Sequence, residues 1–453
     1  QAGGAGLDVD EVFSTFLYTG TSGSSLSINN GIDLSGEGGL VWTKERSSGG
    51  GGHILFSTDA SGNHSGLLVS SSTAAAGTGY QPTYFTFNNN GYTTTNTVGD
   101  SKVNGNDYVS WTFRKAPKFF DIVTYTGDGN ANHEIAHNLE SVPACIIIKN
   151  TSSSWNWLVY HKDSTNDLNL NTNSQGFFSL VDAVTSTSFN FSSFSSLVNA
   201  SGATYVAYLF AHHANDGSET GFGPDGDSPV ISCGSFSHNF NGAEVNLGFE
   251  PQWILIKATA QTKNWYIFDV MRGIVTGGLS GDGDAALYAN TSDAENVNTW
   301  GVDVTSTGFV VHGNNVLSSG DAIYMAIRRG SLFPPEDATK VFTVVKGQAA
   351  NTSSVPGFTA NHVVDFAISS QTSSSSNVTG TRLLGDTFLS TDANDAETAN
   401  SVTRTNGYQN GFFFTGGGAD STRLAWMWKR APSYFDVVAY TGTGSVRTVS
   451  HNL

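Results

Sequence analysis

The sequence has few cysteines, few charged residues and no long apolar run. Two cysteines among 453 residues, Cys145 and Cys233, cannot form a disulfide framework, so we predict two buried free thiols. Lys and Arg total 21 against 38 Asp and Glu, and this net charge of −17 argues against a nucleic-acid partner and against binding to an anionic membrane surface. No stretch approaches the roughly 18 apolar residues of a transmembrane helix, so we expect no membrane insertion.

Charged residues make up only 13% of the chain, and Ser, Thr, Asn and Gly take their place. Short runs rich in Val, Ile, Tyr, Phe and Thr are bounded by Gly, Asn, Ser and Asp, which is typical of strands joined by turns. Residues 108–113 alternate, with Val109, Trp111 and Phe113 on one face, and we predict that Trp111 lies in the core of the first unit. Residues 145–148 are continuously apolar, which fits a central strand. The pattern predicts an all-β fold built as a β-sandwich or jelly roll.

The sequence repeats itself at long range. Residues 111–129 return as 426–444, and the same closing strand recurs around Trp111, Tyr208, Met325 and Trp426, which are separated by 97, 117 and 101 residues. Such a period is longer than the roughly 20 to 50 residues of solenoids and propellers. Each unit is therefore long enough to bury a core of its own.

The opening half of the unit repeats as well. Residues 139–149 and 157–160 align without gaps on 247–257 and 265–268, at a constant offset of 108. We therefore predict tandem β-sandwich repeats, jelly-roll or concanavalin-like, of about 100 residues each. The predicted boundaries are an N-terminal linker at 1–11, repeats at 12–117, 118–214, 230–335 and 336–432, a linker at 215–229, and the start of a truncated fifth repeat at 433–453.

Four segments of the sequence resemble a known family: 6–15, 30–42, 108–120, and 121–127 with 137–139. They are similar to the repeat found in tail-fibre and other virion proteins of marine tailed bacteriophages, especially cyanophages. The resemblance covers nearly the whole chain and is weakest in 340–400. It implies a concanavalin-like or jelly-roll sandwich in an appendage that faces the host, and it carries over no catalytic residue.

The function expected from this resemblance is that of a non-enzymatic virion structural protein. We expect a tail fibre or other projecting appendage on the particle surface that contributes to host attachment. The expected partners are copies of the chain itself in a homo-oligomer such as a trimer, other virion proteins, and a glycan or protein of the host surface. Two alternatives stay open: a carbohydrate-binding or polysaccharide-degrading module, and a capsid or tail component without a receptor role.

One aromatic residue is the candidate surface contact. Trp155 lies in a Ser-rich loop, where a flat indole could cover the apolar face of a sugar ring. Its neighbour Trp157 and the residue at the same repeat position, Trp265, lie on apolar strands, and we predict that both pack in the core.

No metal or cofactor site is predicted. The acidic loops at 281–284 and 225–227 lack a full set of calcium ligands, so solvated turns are favoured. His212 and His213 have no second pair of ligands at helical or hairpin spacing.

Catalytic residues are not predicted either. Glycoside hydrolysis needs two carboxylates across one bond, and two such pairs occur, Asp293 with Glu295 and Asp395 with Glu397. Both pairs sit at matching places in their repeats, as a structural motif would. The junctions 114–117 and 429–432 each carry two cations and a proline; docking on acidic neighbours and a solvated turn are both open, and the solvated turn is favoured.

Overall fold

The computed structural model describes residues 6–58, 67–77, 85–95, 102–193, 195–239, 241–276, 283–299, 301–312, 316–347, 356–371, 377–399, 403–414, 422–440 and 442–453. Within these ranges the chain is nearly all antiparallel β-structure, which confirms the predicted fold class. The helical elements described are α1 (Leu34–Glu37) and short 3-10 turns at Val9–Glu11 and Ala338–Lys340. Among the described residues, no helix is long and apolar enough to span a membrane.

The strands between residues 13 and 114 form a sandwich that we name repeat 1. They are β1 (Phe13–Thr19), β2 (Ser25–Asn29), β3 (Gly39–Glu45), β4 (Ile54–Ser57), β5 (Leu68–Val69), β6 (Phe85–Asn88), β7 (Gly91–Thr95) and β8 (Asp107–Arg114). The large sheet has the order β1-β8-β3-β4-β5, and the small sheet has the order β2-β7-β6. Apolar side chains of both sheets meet between them, including Ile28 and Tyr92 from the small sheet and Val41 and Phe56 from the large one.

Repeat 2 follows the same plan. Its strands are β9 (Phe120–Thr126), β10 (Glu134–Ala136), β11 (Cys145–Asn150), β12 (Leu158–His161), β13 (Leu168–Asn169), β14 (Val181–Asp182), β15 (Ser188–Phe191) and β16 (Thr204–Phe210). The sheets are β13-β12-β11-β16-β9 and β10-β15-β14.

Repeat 3 adds one strand to the large sheet. Its strands are β17 (Ile231–His238), β18 (Ala243–Asn246), β19 (Pro251–Ala258), β20 (Trp265–Asp269), β21 (Asp284–Tyr288), β22 (Asn296–Thr299), β23 (Val302–Thr305), β24 (Gly308–Val311) and β25 (Gly320–Arg328). The sheets are β17-β25-β19-β20-β21-β22 and β18-β24-β23.

Repeat 4 has the same topology as repeat 3. Its strands are β26 (Phe342–Lys346), β27 (Phe358–Thr359), β28 (Phe366–Gln371), β29 (Val378–Thr381), β30 (Thr387–Ser390), β31 (Thr398–Ala399), β32 (Thr403–Arg404), β33 (Gly411–Phe414) and β34 (Arg423–Trp428). The sheets are β26-β34-β28-β29-β30-β31 and β27-β33-β32.

The closing strand holds one register in all four repeats. Trp111 pairs with Trp42, Tyr208 with Ile147, Met325 with Leu255, and Trp426 with Ile368. These pairs give a common frame in which any residue of one large sheet can be matched to its equivalent in another.

The large sheets of repeats 1, 2 and 3 pack against one another. Phe113 of repeat 1 lies with its ring centroid 5.6 Å from that of Phe210 in repeat 2 and 5.8 Å from that of Trp253 in repeat 3. Repeats 2 and 3 also touch, since His161 Nε2 lies 3.1 Å from the carbonyl oxygen of Tyr324. We name this arrangement the three-repeat ring; the outer faces of its large sheets share one hydrophobic cluster.

This shared cluster corrects one sequence expectation. Trp111 is buried as predicted, but it faces the middle of the ring and not the small sheet of its own sandwich. Because both faces of each large sheet in the ring are covered, its strands read as almost continuously apolar, as in β11.

The entry and the exit of the three-repeat ring lie side by side. The Asp8 carboxylate accepts a hydrogen bond of 2.9 Å from the backbone N–H of Leu332 and another from the Ser331 hydroxyl. Leu7 forms a parallel β-bridge with Phe222, which is fully buried. The segments before β1 and before β17 are therefore both docked on the ring.

Candidate functional site

Trp155, the predicted surface contact, is exposed. It lies in the loop between β11 and β12 with 43% of its surface accessible, while its neighbour Trp157 is fully buried. Asn156 between them accepts a hydrogen bond of 2.9 Å from the side-chain amide of Asn171. The loop is thus tied down at its base, and Trp155 itself stays a predicted contact.

Trp157 forms the seam between repeats 1 and 2. Its indole Nε1 donates hydrogen bonds of 3.1 Å to the carbonyl oxygens of both Val69 and Ser72 in repeat 1. Lys149 donates from Nζ to the carbonyl of Thr73, at 3.2 Å. Since a buried indole N–H needs an acceptor, the carbonyl groups that follow β5 serve as a socket for repeat 2.

The seam between repeats 2 and 3 uses the same chemistry. Trp265 donates from Nε1 to the carbonyl of Asn169 at 2.9 Å, and Lys257 donates from Nζ to that of Asn173 at 3.0 Å. Both donors lie 108 positions after their equivalents in repeat 2. Burial lowers the pKa of Lys257 to about 8 and has the same effect on Lys149.

The seam that closes the ring, between repeats 3 and 1, adds charged side chains to a carbonyl contact, in which the Ser70 hydroxyl donates to the Ala289 carbonyl at 2.7 Å. Arg46 of repeat 1 and Glu295 of repeat 3 form a bidentate pair, with Nε–Oε2 and Nη2–Oε1 distances of 2.9 and 2.8 Å. His53 occupies the position held by Trp157 and Trp265, and its Nδ1 accepts from Trp42 Nε1 at 2.9 Å. Burial lowers the pKa of His53 well below its usual value, which keeps the imidazole of His53 neutral.

The Arg46–Glu295 pair belongs to a larger buried network. Arg272 donates from Nη1 to Glu295 at 3.2 Å and from Nε to the Asp269 carboxylate at 2.5 Å. The same Asp269 carboxylate accepts from the indole of Trp111 at 3.0 Å, and the Arg272 guanidinium lies 5.5 Å from the centroid of that indole ring. Burial alone would raise the pKa of Glu295, but Arg46 and Arg272 lower it, so the carboxylate is ionised.

A cavity of about 310 Å³ lies beside this network, where repeats 1, 3 and 4 meet. Arg46, Arg272 and Glu295 line one side of it, and Asn406 of repeat 4 lines another. The Oδ1 atom of Asn406 is buried with no hydrogen-bond partner among the described residues. Both guanidinium groups are already paired with carboxylates, so the network holds the repeats together and leaves little charge for a ligand.

A second, open groove of about 560 Å³ lies between repeats 2 and 3. Its wall is lined by Ser235, Ser237, Asp163 and Asp321, whereas the ring of Phe236 packs on Phe309 and Tyr324 inside the sandwich of repeat 3. Ser237 donates to Asp321 at 2.6 Å, which fixes that carboxylate. A groove lined by hydroxyl and carboxyl groups suits the hydroxyl groups of a neutral sugar.

The predicted carboxylate pairs are separated by the fold. Glu295 is committed to the buried network, while Asp293 is exposed. Glu397 accepts a hydrogen bond from the Thr387 hydroxyl, while Asp395 is exposed. In each pair one carboxyl group, that of Glu295 or Glu397, therefore holds another side chain in place.

The other predicted polar sites are bound to backbone groups. His213 has Nε2 2.7 Å from the carbonyl oxygen of Lys118, and its Nδ1 accepts from the N–H of Val230. Asp284 accepts three backbone N–H groups, those of Val275, Gly301 and Val302, and residues 281 and 282 of that acidic loop lie outside the described residues. In the part of the chain that the structure describes, no three His, Cys, Asp or Glu side chains are grouped to hold a metal ion.

The two cysteines are buried and free, as predicted. Burial raises the pKa of Cys145 to about 12 and raises that of Cys233 as well, so both thiols are protonated. Neither is therefore an activated nucleophile.

The junction cations correct another sequence expectation. A solvated turn was favoured, but Arg430 is buried and forms a bidentate pair with Glu250 of repeat 3, with distances of 2.7 and 2.6 Å. Lys429 lies 3.2 Å from Asp10, and Lys115 lies 3.1 Å from Asp121. The junctions dock on acidic neighbours, and this solvated-turn interpretation was wrong for them.

A family model described as "Domain of unknown function (DUF7483)" matches residues 8–329. The matched segment begins at Asp8, which binds Leu332, and ends one residue after β25. It therefore corresponds to the three-repeat ring. No curated protein matches the chain.

Proposed function

We propose that this chain, which belongs to the DUF7483 family, is a non-enzymatic structural protein of a phage particle and contributes to host-surface attachment. One observation carries the proposal: the charged groups and indoles buried at the seams of the three-repeat ring form contacts between its own repeats. Arg46 and Arg272 both bind Glu295, and Trp157 and Trp265 bind backbone carbonyls. Such an arrangement makes a rigid body and leaves its loops free for recognition.

The resemblance of residues 6–15 and 108–120 to repeats of phage virion proteins supports the setting. On this basis the chain is located in a tail fibre or other appendage on the particle surface. Its partners there are other copies of the chain, other virion proteins, and a glycan or protein of the host.

Exposed aromatic side chains on repeat 2 supply the proposed contact surface. Trp155 follows β11, and Phe177 and Phe178 lie in the loop after β13, with 67% and 49% of their surfaces accessible. Aromatic rings offer large apolar contact area at low entropic cost. In an appendage with several copies, weak contacts of this kind add up to firm attachment.

Labelling of intact particles tests the setting. Gold-conjugated antibodies raised against the 453-residue chain should label projecting fibres in electron micrographs. Label confined to the capsid shell or to the tail tube would overturn the appendage assignment and favour a component without a receptor role.

Competition for adsorption tests the contact surface. The purified chain, added to host cells in excess, should reduce phage adsorption, and the Trp155→Ala/Phe177→Ala double variant should reduce it much less. Val446→Ala changes an exposed apolar residue that lies outside repeat 2, so this control should compete like the native chain. Equal competition by all three proteins would exclude the loops of repeat 2.

The groove between repeats 2 and 3 favours carbohydrate binding as a second candidate function. The hydroxyl and carboxyl groups that line it match the hydroxyl groups of a neutral oligosaccharide. A glycan array should then show binding that Ser235→Trp, which fills the groove at an exposed position, abolishes. Release of reducing ends from a bound polysaccharide, lost in Asp163→Asn or Asp321→Asn, would point to hydrolysis and contradict the non-enzymatic function.

A further inference from the structure

The cavity where repeats 1, 3 and 4 meet contains a buried polar atom that the protein leaves unsatisfied. Asn406 of repeat 4 lines this cavity and is only 7% exposed. Its Oδ1 atom has no hydrogen-bond partner among the described residues. Buried acceptors in proteins almost always have a donor, so this oxygen atom points to a ligand in the cavity.

The loop that carries Asn406 is held in place on both sides of this residue. The buried Arg382 donates from Nη2 to the carbonyl of Tyr408 at 2.9 Å. The backbone N–H of Gly407 donates to the carbonyl of Met271 in repeat 3 at 3.0 Å. The backbone around Asn406 is therefore fixed against repeat 3, and the unsatisfied oxygen atom keeps its place in the cavity wall.

Arg46 of repeat 1 supplies a donor to the same cavity. Its Nε and Nη2 atoms bind Glu295, and among the described residues no hydrogen bond uses its Nη1 atom. A Cβ atom at Gly407 would lie 3.8 Å from Arg46 Nη2, so the loop of Asn406 and the guanidinium group are close neighbours. Gly407 has a φ of +80°, which favours glycine, and the space beside the guanidinium group stays open.

The cavity wall carries charged groups of both signs. Arg46 and Arg272 line it together with the carboxyl groups of Asp107, Glu295 and Asp386. The three carboxyl groups outnumber the two guanidinium groups, which disfavours an anionic ligand, while the guanidinium groups repel a cation. The lining therefore favours a ligand that is neutral and can both donate and accept hydrogen bonds.

We propose that this cavity binds a neutral polyhydroxyl compound of the size of a monosaccharide. A hydroxyl group can accept from a guanidinium and donate to an amide oxygen, so it suits both Arg46 Nη1 and Asn406 Oδ1. The volume of about 310 Å³ lies at the lower end of the range of small-molecule sites. Because Asn406 belongs to repeat 4, the three-repeat ring alone does not complete the site.

This site goes beyond the proposed function and does not depend on it. It lies apart from the groove between repeats 2 and 3 and from the exposed aromatic side chains Trp155 and Phe177. Binding of a sugar in the cavity and competition for phage adsorption are therefore separate measurements, and either can fail without the other.

Saturation-transfer difference NMR on the 453-residue chain tests the site. The compounds added, one at a time, are D-glucose, D-galactose, D-mannose and myo-inositol. The reference chain and every variant carry Ser235→Trp, so that the groove between repeats 2 and 3 does not contribute. At least one of the compounds should bind the reference chain, and titration of the signal gives its Kd.

Two substitutions in the cavity wall should remove this binding. Val297→Trp places an indole at the rim of the cavity and should raise the Kd about 10-fold or more. Val297 is 53% exposed, so the circular dichroism spectrum should not change. Asn406→Leu removes the unsatisfied oxygen, so it should abolish binding without lowering the Tm of the ligand-free chain.

Val142→Trp is the matched control, because Val142 is 54% exposed and lies in repeat 2 between β10 and β11. It should bind the compound like the reference chain. The proposal is overturned if none of the four compounds binds, or if binding survives Val297→Trp. A lower Tm of Asn406→Leu would also overturn it, since Asn406 would then serve the fold and not a ligand.

Discussion

The seams of the three-repeat ring differ in their chemistry. Between repeats 1 and 2, and between repeats 2 and 3, a tryptophan and a lysine donate to backbone carbonyls of the preceding repeat. Between repeats 3 and 1, Ser70 donates to the Ala289 carbonyl, and Arg46 in addition pairs with Glu295, 249 positions away. A carbonyl socket accepts any repeat that carries the right donors, whereas an arginine–glutamate pair forms only between two particular side chains.

Repeat 4 stays outside the ring and differs from repeats 2 and 3 in its donors. Repeat 4 has Asn377 at the position of Trp157 and Trp265, and Ser370 at the position of Lys149 and Lys257. It therefore lacks the donors that would dock it on repeat 3 as repeat 3 docks on repeat 2. The place beside repeat 3 is taken by repeat 1 through the charged seam, and repeat 4 binds outside the ring, where Arg430 pairs with Glu250.

The largest expected effect comes from breaking all three seams at once. Trp111→Asp puts a carboxylate into the shared core beside Asp269, which loses its indole donor. We expect a loss of more than about 5 kcal/mol in the free energy of unfolding, because a buried unpaired charge and a cavity arise together. Thermal unfolding followed by circular dichroism measures it, with exposed Trp155→Asp as the control; an unchanged Tm would show that Trp111 does not face the core.

The next effect isolates the charged seam. Glu295→Ala removes the partner that Arg46 shares with Arg272, and we expect a loss of about 3 to 5 kcal/mol, the usual result of breaking a buried ion pair. Urea unfolding measures the change. Asp293→Ala, two residues away and exposed, should stay within about 0.5 kcal/mol of the native chain. Equal effects for the two variants would mean that the seam adds no stability.

A smaller effect isolates one carbonyl seam. Trp265→Phe keeps most of the aromatic side-chain volume at this position but removes the N–H that binds the Asn169 carbonyl. We expect a loss of about 1 to 3 kcal/mol, the cost of an unsatisfied buried acceptor. The same urea assay applies, and a loss as large as that of Glu295→Ala would contradict the ranking of the two kinds of seam.

The smallest effect is the pH dependence that Lys257 gives to one carbonyl seam. The pKa of Lys257 is about 8 in the folded chain and 10.5 when unperturbed, so between these values the unfolded chain binds more protons and stability rises with pH. Lys257→Met lacks this rise. The stability of the native chain relative to the variant should therefore increase from pH 8 to pH 10, and parallel curves would show that Lys257 is not desolvated.

Sequence reasoning reached the fold class and the packing of the repeated tryptophans. Alternation placed Trp111 in a core, and recurrence at one offset placed Trp157 and Trp265 there too. It did not reach the charged seam, because Arg46 is equivalent to Thr151 and Thr259 and therefore shows no recurrence. A pair 249 positions apart leaves no local pattern in a single sequence.

The partner of each large sheet was also beyond sequence reasoning. A period of about 100 residues showed that each unit can hold its own core, and it does so between its two sheets. The second covered face follows from how repeats meet, which depends on contacts between units. Continuous apolar runs, such as those of β11 and β19, were the local sign that both faces of a sheet are buried.

The contact of Asp8 with Leu332 has a consequence for reach. The path of the chain enters and leaves the ring at nearly the same point, so more than 300 residues add mass and surface without adding length between the flanking segments. In an appendage with several such rings, the junction segments set the distance from one ring to the next. The size of a ring can change without altering that distance.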